Sequence, residues 1–391
     1  MKRRTFGLFG LLALAAGAAL PAPPARAADV LTIGAISALT GAGSSWGLAV
    51  AAGPQLAAAE INAKGGLKVG DKTYEVKVLA YDEQYTAAGT VAAYTRLVMQ
   101  DGVKYILGPL SSAGTVAIKD MVEENKTIIF TGGYTRKAID ANTRFLFRAY
   151  STPVEYGPAM IRWLRDHQPE GQRRVVLLNP NDETGWDGQD VQQAAYNGNG
   201  FQVQGHELYE RTLKDFQPVL TKLLAQKPDV IELGTSSPAT AGLIVRQARE
   251  MGFKGRFMKN GGPGPRDIVA AAGKEAAEGV INYLVADPDN AAYIRLSAEF
   301  KKDKGFEPNE LFISFYDATR VLFAAMQKAG TVTDSDKVRQ AIAQVMPFPA
   351  AMGGEITLGG KQTYGADTQF YTTPYVGEIR NGEPVVLGIA K

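Results

Sequence analysis

Residues 43–47 read GSSWG and could form the sharp strand-to-helix turn that exposes a nucleophilic serine in α/β-hydrolases. Ser45 would then attack an acyl group. Hydrolases place this turn deeper in the sheet, whereas here it follows the first predicted strand. The glycines also suggest a dinucleotide-binding loop, but Trp46 stands where that motif needs its third glycine. We therefore expect a flexible loop that presents Trp46 to a cleft or packs it between elements.

Residues 108–115 read GPLSSAGT and lead from a predicted strand directly into a predicted helix. Ser111 or Ser112 would be a good N-cap, and capping alone explains a serine there. The same helix start also offers unpaired N–H groups and the positive end of a dipole, with a serine hydroxyl as a further donor. That arrangement suits a carboxylate, so both interpretations stay open.

Residues 131–135 read TGGYT and follow the next predicted strand. The paired glycines, including Gly133, let a ligand approach the backbone closely, while Tyr134 and Thr135 add a ring and a hydroxyl. Alone this segment is an ordinary turn. Because the carboxyl ends of neighbouring parallel strands lie together, Ser112 and Thr135 would offer neutral donors to one small volume.

The elements that would position these loops follow a strand–helix alternation. Short apolar runs rich in β-branched residues, starting with residues 30–36, alternate with longer amphipathic segments, starting with residues 47–63. One series ends near residue 148, and a second, similar series follows it. The sequence therefore predicts an α/β fold with two doubly wound parallel-sheet lobes.

The first 27 residues predict export. Three basic residues precede an apolar run over residues 6–20, and residues 25–27 read ARA, which suits a signal peptidase. We expect cleavage after Ala27 and a periplasmic location, with the Sec and twin-arginine routes both open. The apolar run is too short for the roughly 20 residues of a membrane-spanning helix.

Composition excludes several classes of partner. Removing the leader takes away four basic side chains and no acidic one, so the formal net charge changes from +2 to −2. This balance argues against nucleic acid or an anionic membrane as a partner. With no cysteine and only two histidines, His167 and His206, we expect no disulfide, no metal site and no cofactor.

Five segments carry a resemblance to a known family: residues 33–41, 59–66 (AEINAKGG), 81–82, 106–112 (ILGPLSS) and 246–252 (RQAREMG). The chain resembles the Leu/Ile/Val-binding group of type I periplasmic binding proteins, which serve ABC importers. The resemblance implies two lobes joined by a three-segment hinge near residues 148–150, 280–283 and 350–354. It assigns residues 28–148 and 283–350 to lobe I, and residues 149–282 and 351–391 to lobe II.

The resemblance also implies which residues hold the ligand. The ligand carboxylate would lie at Ser112, beside Ser111, with further contacts from Gly133 or Tyr134 and from Thr135. Trp46 would form an aromatic wall. The candidates on lobe II are Thr184, Trp186, Ser236 and Gly261. We also expect Trp186 and Phe312 to close the far side of the cleft. The family's two disulfide positions fall on Tyr85 and Ser111, so that bridge is absent.

One position departs from the amino-acid-binding relatives. They place an acid there to pair the ligand ammonium, whereas this chain has Gly261. A desolvated ammonium without an anionic partner is costly, so an amino acid would need Asp182, Glu183 or Asp187 as a substitute. We therefore expect a carboxylic acid without an amine, with an aromatic or similarly flat apolar body.

These inferences predict a monomeric solute-binding protein that closes on a small organic acid or amino acid and presents it to an ABC permease in the inner membrane. No catalytic residue is required for hinge closure. Three alternatives stay open: a protein that binds branched-chain or other amino acids, a ligand sensor, and a periplasmic serine hydrolase that uses Ser45.

Overall fold

The computed structural model describes residues 29–391, so the predicted signal peptide and its cleavage site after Ala27 lie outside the described residues. Within that range the strands are β1 Asp29–Ser37, β2 Leu67–Val69, β3 Lys72–Asp82, β4 Tyr105–Leu107, β5 Ile128–Thr131, β6 Leu146–Arg148, β7 Arg174–Pro180, β8 Gln202–Tyr209, β9 Val230–Glu232, β10 Arg256–Lys259, β11 Ile281–Leu284, β12 Phe348–Pro349, β13 Glu355–Gly359, β14 Gln369–Tyr371, β15 Tyr375–Arg380 and β16 Glu383–Ile389.

The α-helices in the same range are α1 Ser44–Ala63, α2 Ala87–Thr95, α3 Ser112–Asn125, α4 Pro153–His167, α5 Glu183–Gly198, α6 Gln217–Leu224, α7 Pro238–Glu250, α8 Pro265–Ala272, α9 Lys274–Ala277, α10 Ala291–Lys304, α11 Phe312–Ala329, α12 Ser335–Gln344 and α13 Lys361–Tyr364. Side chains cap seven of them by accepting N–H bonds in the first turn: Thr86, Ser111, Thr152, Asp182, Ser237, Asn290 and Asp334. These caps fix where the strand-to-helix loops end. None of these helices is both long enough and apolar enough to span a bilayer.

The strands form two sheets of the same design. The first, in lobe I, has the order β12-β13-β14-β6-β5-β4-β1-β3-β2, and the second, in lobe II, has the order β16-β15-β11-β10-β9-β7-β8. The strands around β1 and those around β7 are parallel. In each sheet the strand order reverses next to the first strand, so the predicted fold class is confirmed. Loops at such a reversal are where α/β sheets bind ligands.

Helices cover both faces of each sheet. In lobe II the neighbours Val175 and Val176 are both fully buried, and they belong to separate apolar clusters. Because successive side chains of a strand point to opposite faces, a helix layer must cover each face. The cleft between the lobes therefore lies at the ends of the strands, where the loops are, rather than on the faces of the sheets.

The chain crosses between the lobes three times, and two crossings differ from the prediction. The second follows Leu284 rather than residues 280–283, because β11 is completed inside the second sheet. The third lies between Tyr371 and Tyr375 rather than at residues 350–354, because β13 and β14 pair within the first sheet. Phe370 anchors this segment, with its ring centroid 5.6 Å from that of Phe130 in the lobe I core. Residues 351–371 therefore belong to lobe I, not to lobe II.

Candidate functional site

Ser112 is the one lobe I serine or threonine among the described residues that line the cleft. It begins α3 beyond the carboxyl end of β4, and its Oγ accepts N–H bonds from Tyr134 (3.0 Å) and Thr135 (3.3 Å). A hydroxyl offers one donor and two acceptor positions. Both acceptor positions are filled, so Ser112 has only its proton to give. A ligand group placed there must accept a hydrogen bond.

Ser111, one residue earlier, is occupied by the fold. Its Oγ accepts the Gly114 N–H (3.1 Å) as the N-cap of α3, and its own N–H donates to Glu83 Oε1 (2.9 Å). Glu83 Oε1 also accepts the Leu110 N–H (3.0 Å). Burial raises the pKa of Glu83 to about 7, although these hydrogen bonds oppose the shift. Glu83 therefore holds the loop from behind, and Ser111 caps the helix rather than lining the cleft.

The cleft, together with the solvent-open space at its mouth, has a volume of about 300 Å³ that no protein atom fills. Its lining consists of four aromatic residues (Trp46, Tyr85, Tyr134, Tyr150), two leucines (Leu110, Leu311), three hydroxyl residues (Ser112, Thr184, Thr235) and two glycines (Gly132, Gly262). Among the residues that the structure describes, no charged side chain is part of this lining. The surface suits a flat apolar body with a few acceptor groups.

Lys259 lies behind the lobe II wall of the cleft. It is 1% exposed, and its Nζ donates to the carbonyls of Gly261 and, at 2.7 Å, Gly262. The same Nζ lies 5.3 Å from the Trp46 ring centroid, within range of a cation–π interaction. Burial lowers the pKa of Lys259 to about 7, and the negative charge of Glu232 opposes this shift.

Hydrogen bonds between the lobes hold the cleft closed. Trp46 Nε1 donates to the Pro263 carbonyl (2.7 Å), and the Gly262 N–H donates to the Tyr134 hydroxyl (3.1 Å). Gly262 has φ +57°, and a Cβ there would lie 2.4 Å from Trp46 Cζ2, so only glycine allows this approach. At the rim, Thr135 Oγ1 donates to Glu183 Oε1 (2.9 Å).

The three acids that could replace the missing ammonium partner are already paired. Asp182 caps α5 and forms an ion pair with Arg211. Glu183 accepts from Thr135 and lies 3.1 Å from the Lys137 ammonium. Asp187 Oδ1 accepts from Arg136 Nε at 2.7 Å. None of the three belongs to the cleft lining.

Four of the eleven predicted site residues line the cleft: Trp46, Ser112, Tyr134 and Thr184. Six others each lie next to a residue that does so: Ser111, Gly133, Thr135, Ser236, Gly261 and Phe312. Gly133 instead gives its carbonyl to Arg148 Nε (2.9 Å), and Ser236 Oγ accepts from the Tyr209 hydroxyl (2.7 Å). Gly261 bonds Lys259, and Phe312 is fully buried in the lobe I core, where it packs on Tyr293.

Thr135 and Trp186 also do not line the cleft. The Thr135 hydroxyl is used in the rim contact with Glu183, so it does not join Ser112 at a ligand. Trp186 is 49% exposed and its Nε1 donates to Asn181 Oδ1 (2.9 Å), so it does not close the far side. Sequence reasoning missed the cleft walls Tyr85 and Tyr150, and no spacing signal pointed to them.

The serine-nucleophile arrangement is not formed. Ser45 lies in the first turn of α1, without a histidine bonded to it. His167 Nδ1 lies 2.8 Å from the Trp163 carbonyl, and its ring stacks on Trp163. His206 lies within β8. No group of histidine, aspartate and glutamate side chains in residues 29–391 could hold a metal ion.

Comparison with known proteins identifies the family of this chain. The profile of a family described as periplasmic binding protein matches residues 30–383. The chain belongs to this family. As a periplasmic binding protein of the branched-chain amino-acid type, it is an ABC solute-binding protein and not an enzyme.

Its relatives differ in the ligands that their names record. The chain is 28% identical over 338 residues to the Leu/Ile/Val-binding protein BraC3 of Rhizobium johnstonii, a match that covers 86% of this chain and 87% of that protein. A leucine-binding protein of Thermotoga maritima is similar in structure, with a TM-score of 0.79, 24% identity and coverage of 93% and 99%. A solute-binding protein of R. palustris in complex with benzoate has a TM-score of 0.77, 18% identity and coverage of 93% and 96%. This fold alone therefore does not select between amino acids and aromatic acids.

Proposed function

We propose that this protein is the extracytoplasmic binding component of an ABC importer for an aromatic or other flat carboxylic acid that lacks an α-amino group. Export with cleavage after Ala27, a monomeric state and delivery to an inner-membrane permease are parts of the same proposal. The ligand carboxylate would dock on lobe I, and closure of lobe II over it would create the form that the permease recognises.

The Ser112 hydroxyl carries the proposal. Its acceptor positions are filled by two backbone N–H groups, so it can only donate, and a carboxylate oxygen is the acceptor that suits it. A ligand ammonium would find no carboxylate in the described cleft lining. The nearby acids Asp182 and Glu183 already bond cations. Burying a ligand ammonium there without an anionic partner would cost about several kcal/mol of binding free energy.

The aromatic residues of the cleft lining support a ligand with a flat, apolar body. The Tyr134 and Tyr150 rings meet edge to face with centroids 5.7 Å apart. Trp46 lines the same cleft and is held by its hydrogen bond to the Pro263 carbonyl of lobe II. Flat walls of this kind give a large contact area to an aromatic ring with little loss of side-chain entropy. The R. palustris protein bound to benzoate has the same fold, which makes such a ligand compatible with it.

A thermal-shift experiment with a matched pair of ligands tests the proposal. 3-Phenylpropionate and phenylalanine share the ring, the chain length and the carboxylate, and they differ only in the ammonium. At about 100 times its dissociation constant a ligand stabilises the folded state by about 2.7 kcal/mol, which raises the melting temperature by several degrees. We expect this shift with 3-phenylpropionate and none with phenylalanine or leucine at the same concentration. A shift with phenylalanine or leucine alone would instead support an amino-acid-binding protein.

A further inference from the structure

A buried lysine stands where the second lobe meets the cleft. Lys259 ends β10, only two residues before Gly261 and three before Gly262, which lines the cleft. Its side chain folds back under the following loop rather than toward solvent, since the residue is 1% exposed. The ammonium therefore lies under the loop that forms the lobe II wall of the cleft.

The Lys259 ammonium occupies two carbonyl acceptors of this loop. It donates to the Gly261 and Gly262 carbonyls, and it faces the Trp46 ring at 5.3 Å. Both Gly262 and Trp46 line the cleft, so Lys259 directly contacts two residues of the cleft wall. A carbonyl and an aromatic face are also the groups that would stabilise a ligand ammonium in the absence of a carboxylate. Lys259 already occupies them.

The nearest buried acid is engaged elsewhere. Glu232 accepts the Asn260 N–H (2.9 Å) and the Gly234 N–H (2.8 Å) through Oε1, and the Tyr196 hydroxyl (2.8 Å) through Oε2. The hydrogen bonds of Lys259 go to carbonyls instead. Its charge is thus offset only through space, and a charge in such a low-dielectric site acts strongly on a neighbouring ionic group.

Given the proposed function, on which this inference rests, we propose that Lys259 is a specificity-determining residue: its ammonium takes the carbonyls behind Trp46 and makes the cleft accept a carboxylate and reject an α-ammonium group. Lys259 acts through the wall of the cleft and does not touch the ligand.

Calorimetry with 3-phenylpropionate and phenylalanine tests this role through the ratio of their dissociation constants. In Lys259→Met, which keeps the length of the side chain and removes its charge, we expect the preference for 3-phenylpropionate to fall by about tenfold or more. Lys254→Met is the matched control on the solvent-exposed side of the same segment, and it should leave the ratio unchanged. A folded Lys259→Met variant with the ratio of the unmodified protein would overturn the inference.

The unmodified protein gives an independent readout if Lys259→Met does not fold. The charged or titratable groups that act on Lys259 are Glu232 and Arg211, and Tyr134 contacts its loop from lobe I. Between about pH 6 and about pH 8, loss of the Lys259 proton and ionisation of Glu232 both make the site less positive, so the preference for 3-phenylpropionate should weaken. A ratio that stays constant over this range would contradict the inference. If the unmodified protein prefers phenylalanine at every pH, the proposed function itself fails.

Discussion

Two loops face each other across the cleft, and each is held from behind by a buried ionisable side chain of opposite sign. In lobe I, the Glu83 carboxylate accepts the N–H groups of Leu110 and Ser111. In lobe II, the Lys259 ammonium donates to the carbonyls of Gly261 and Gly262. Both loops connect a parallel strand to the next helix, α3 in one case and α8 in the other.

Under the proposed function, this difference would let two buried ionisable side chains favour one class of ligand without themselves lining the cleft. A carboxylate behind a loop consumes donors, and an ammonium behind a loop consumes acceptors. Lobe I offers the hydroxyl proton of Ser112 to the cleft. On lobe II, the positive charge of the buried Lys259 ammonium lies behind the cleft wall. Both features favour an anion, although the side chains that line the cleft are uncharged.

The largest expected effect is on lobe I, at Ser112. Replacing Ser112 by alanine removes the one hydroxyl that can only donate, and we expect the affinity for 3-phenylpropionate to fall by about 2–3 kcal/mol. Ser111→Ala is the matched control, because it loses the cap of α3 at a cost of about 1 kcal/mol in stability but should bind the ligand normally. Calorimetry and urea unfolding separate the two effects. Equal affinities for the two variants would move the carboxylate away from Ser112.

A smaller effect is expected behind the same loop, at Glu83. The Thr90 hydroxyl has one proton but two acceptors, Glu83 Oε2 at 2.7 Å and the Thr86 carbonyl at 2.9 Å, so a protonated Glu83 lets both bonds form. Burial raises the pKa of Glu83 from 4.5 to about 7, so the folded chain keeps a proton that the unfolded chain releases. The free energy of unfolding should therefore decrease as the pH rises through this interval.

Glu83→Gln mimics the protonated acid at every pH. Relative to the unmodified protein, its free energy of unfolding should rise by roughly 2 kcal/mol between about pH 5 and about pH 8. Urea unfolding at both pH values measures this change. A stability difference that is the same at both would show that Glu83 holds the loop as a permanently charged carboxylate, and the contrast with Lys259 would then be stronger than we describe.

Much of the fold could be predicted because the signals are local. Strand–helix alternation and capping residues such as Ser111 and Asp182 act within a few positions of the chain. The third crossing could not be placed in this way. Gly353 and Gly354 look like a boundary, but they only form a turn, and the lobe is decided by Phe370 packing on Phe130, more than two hundred residues away.

The sequence predicted ligand contacts on loops that line the cleft, but in three of these loops the lining residue is the neighbour of the predicted one. Gly132 lines the cleft rather than Gly133, Thr235 rather than Ser236, and Gly262 rather than Gly261. At a strand end the backbone leaves its two-residue alternation, so the spacing no longer decides which of two adjacent residues faces the ligand. Lys259 was missed for a different reason. A charge that closes an apolar strand is usually solvated, and only the packed structure shows it buried behind Trp46.

The most direct test is a crystal structure of the protein grown with equal concentrations of 3-phenylpropionate and phenylalanine. We predict that the cleft contains 3-phenylpropionate, with its carboxylate accepting a hydrogen bond from Ser112 Oγ and its ring between Trp46 and Tyr134. Phenylalanine in the cleft, with its ammonium bonded to Glu183 or Asp182, would contradict the account.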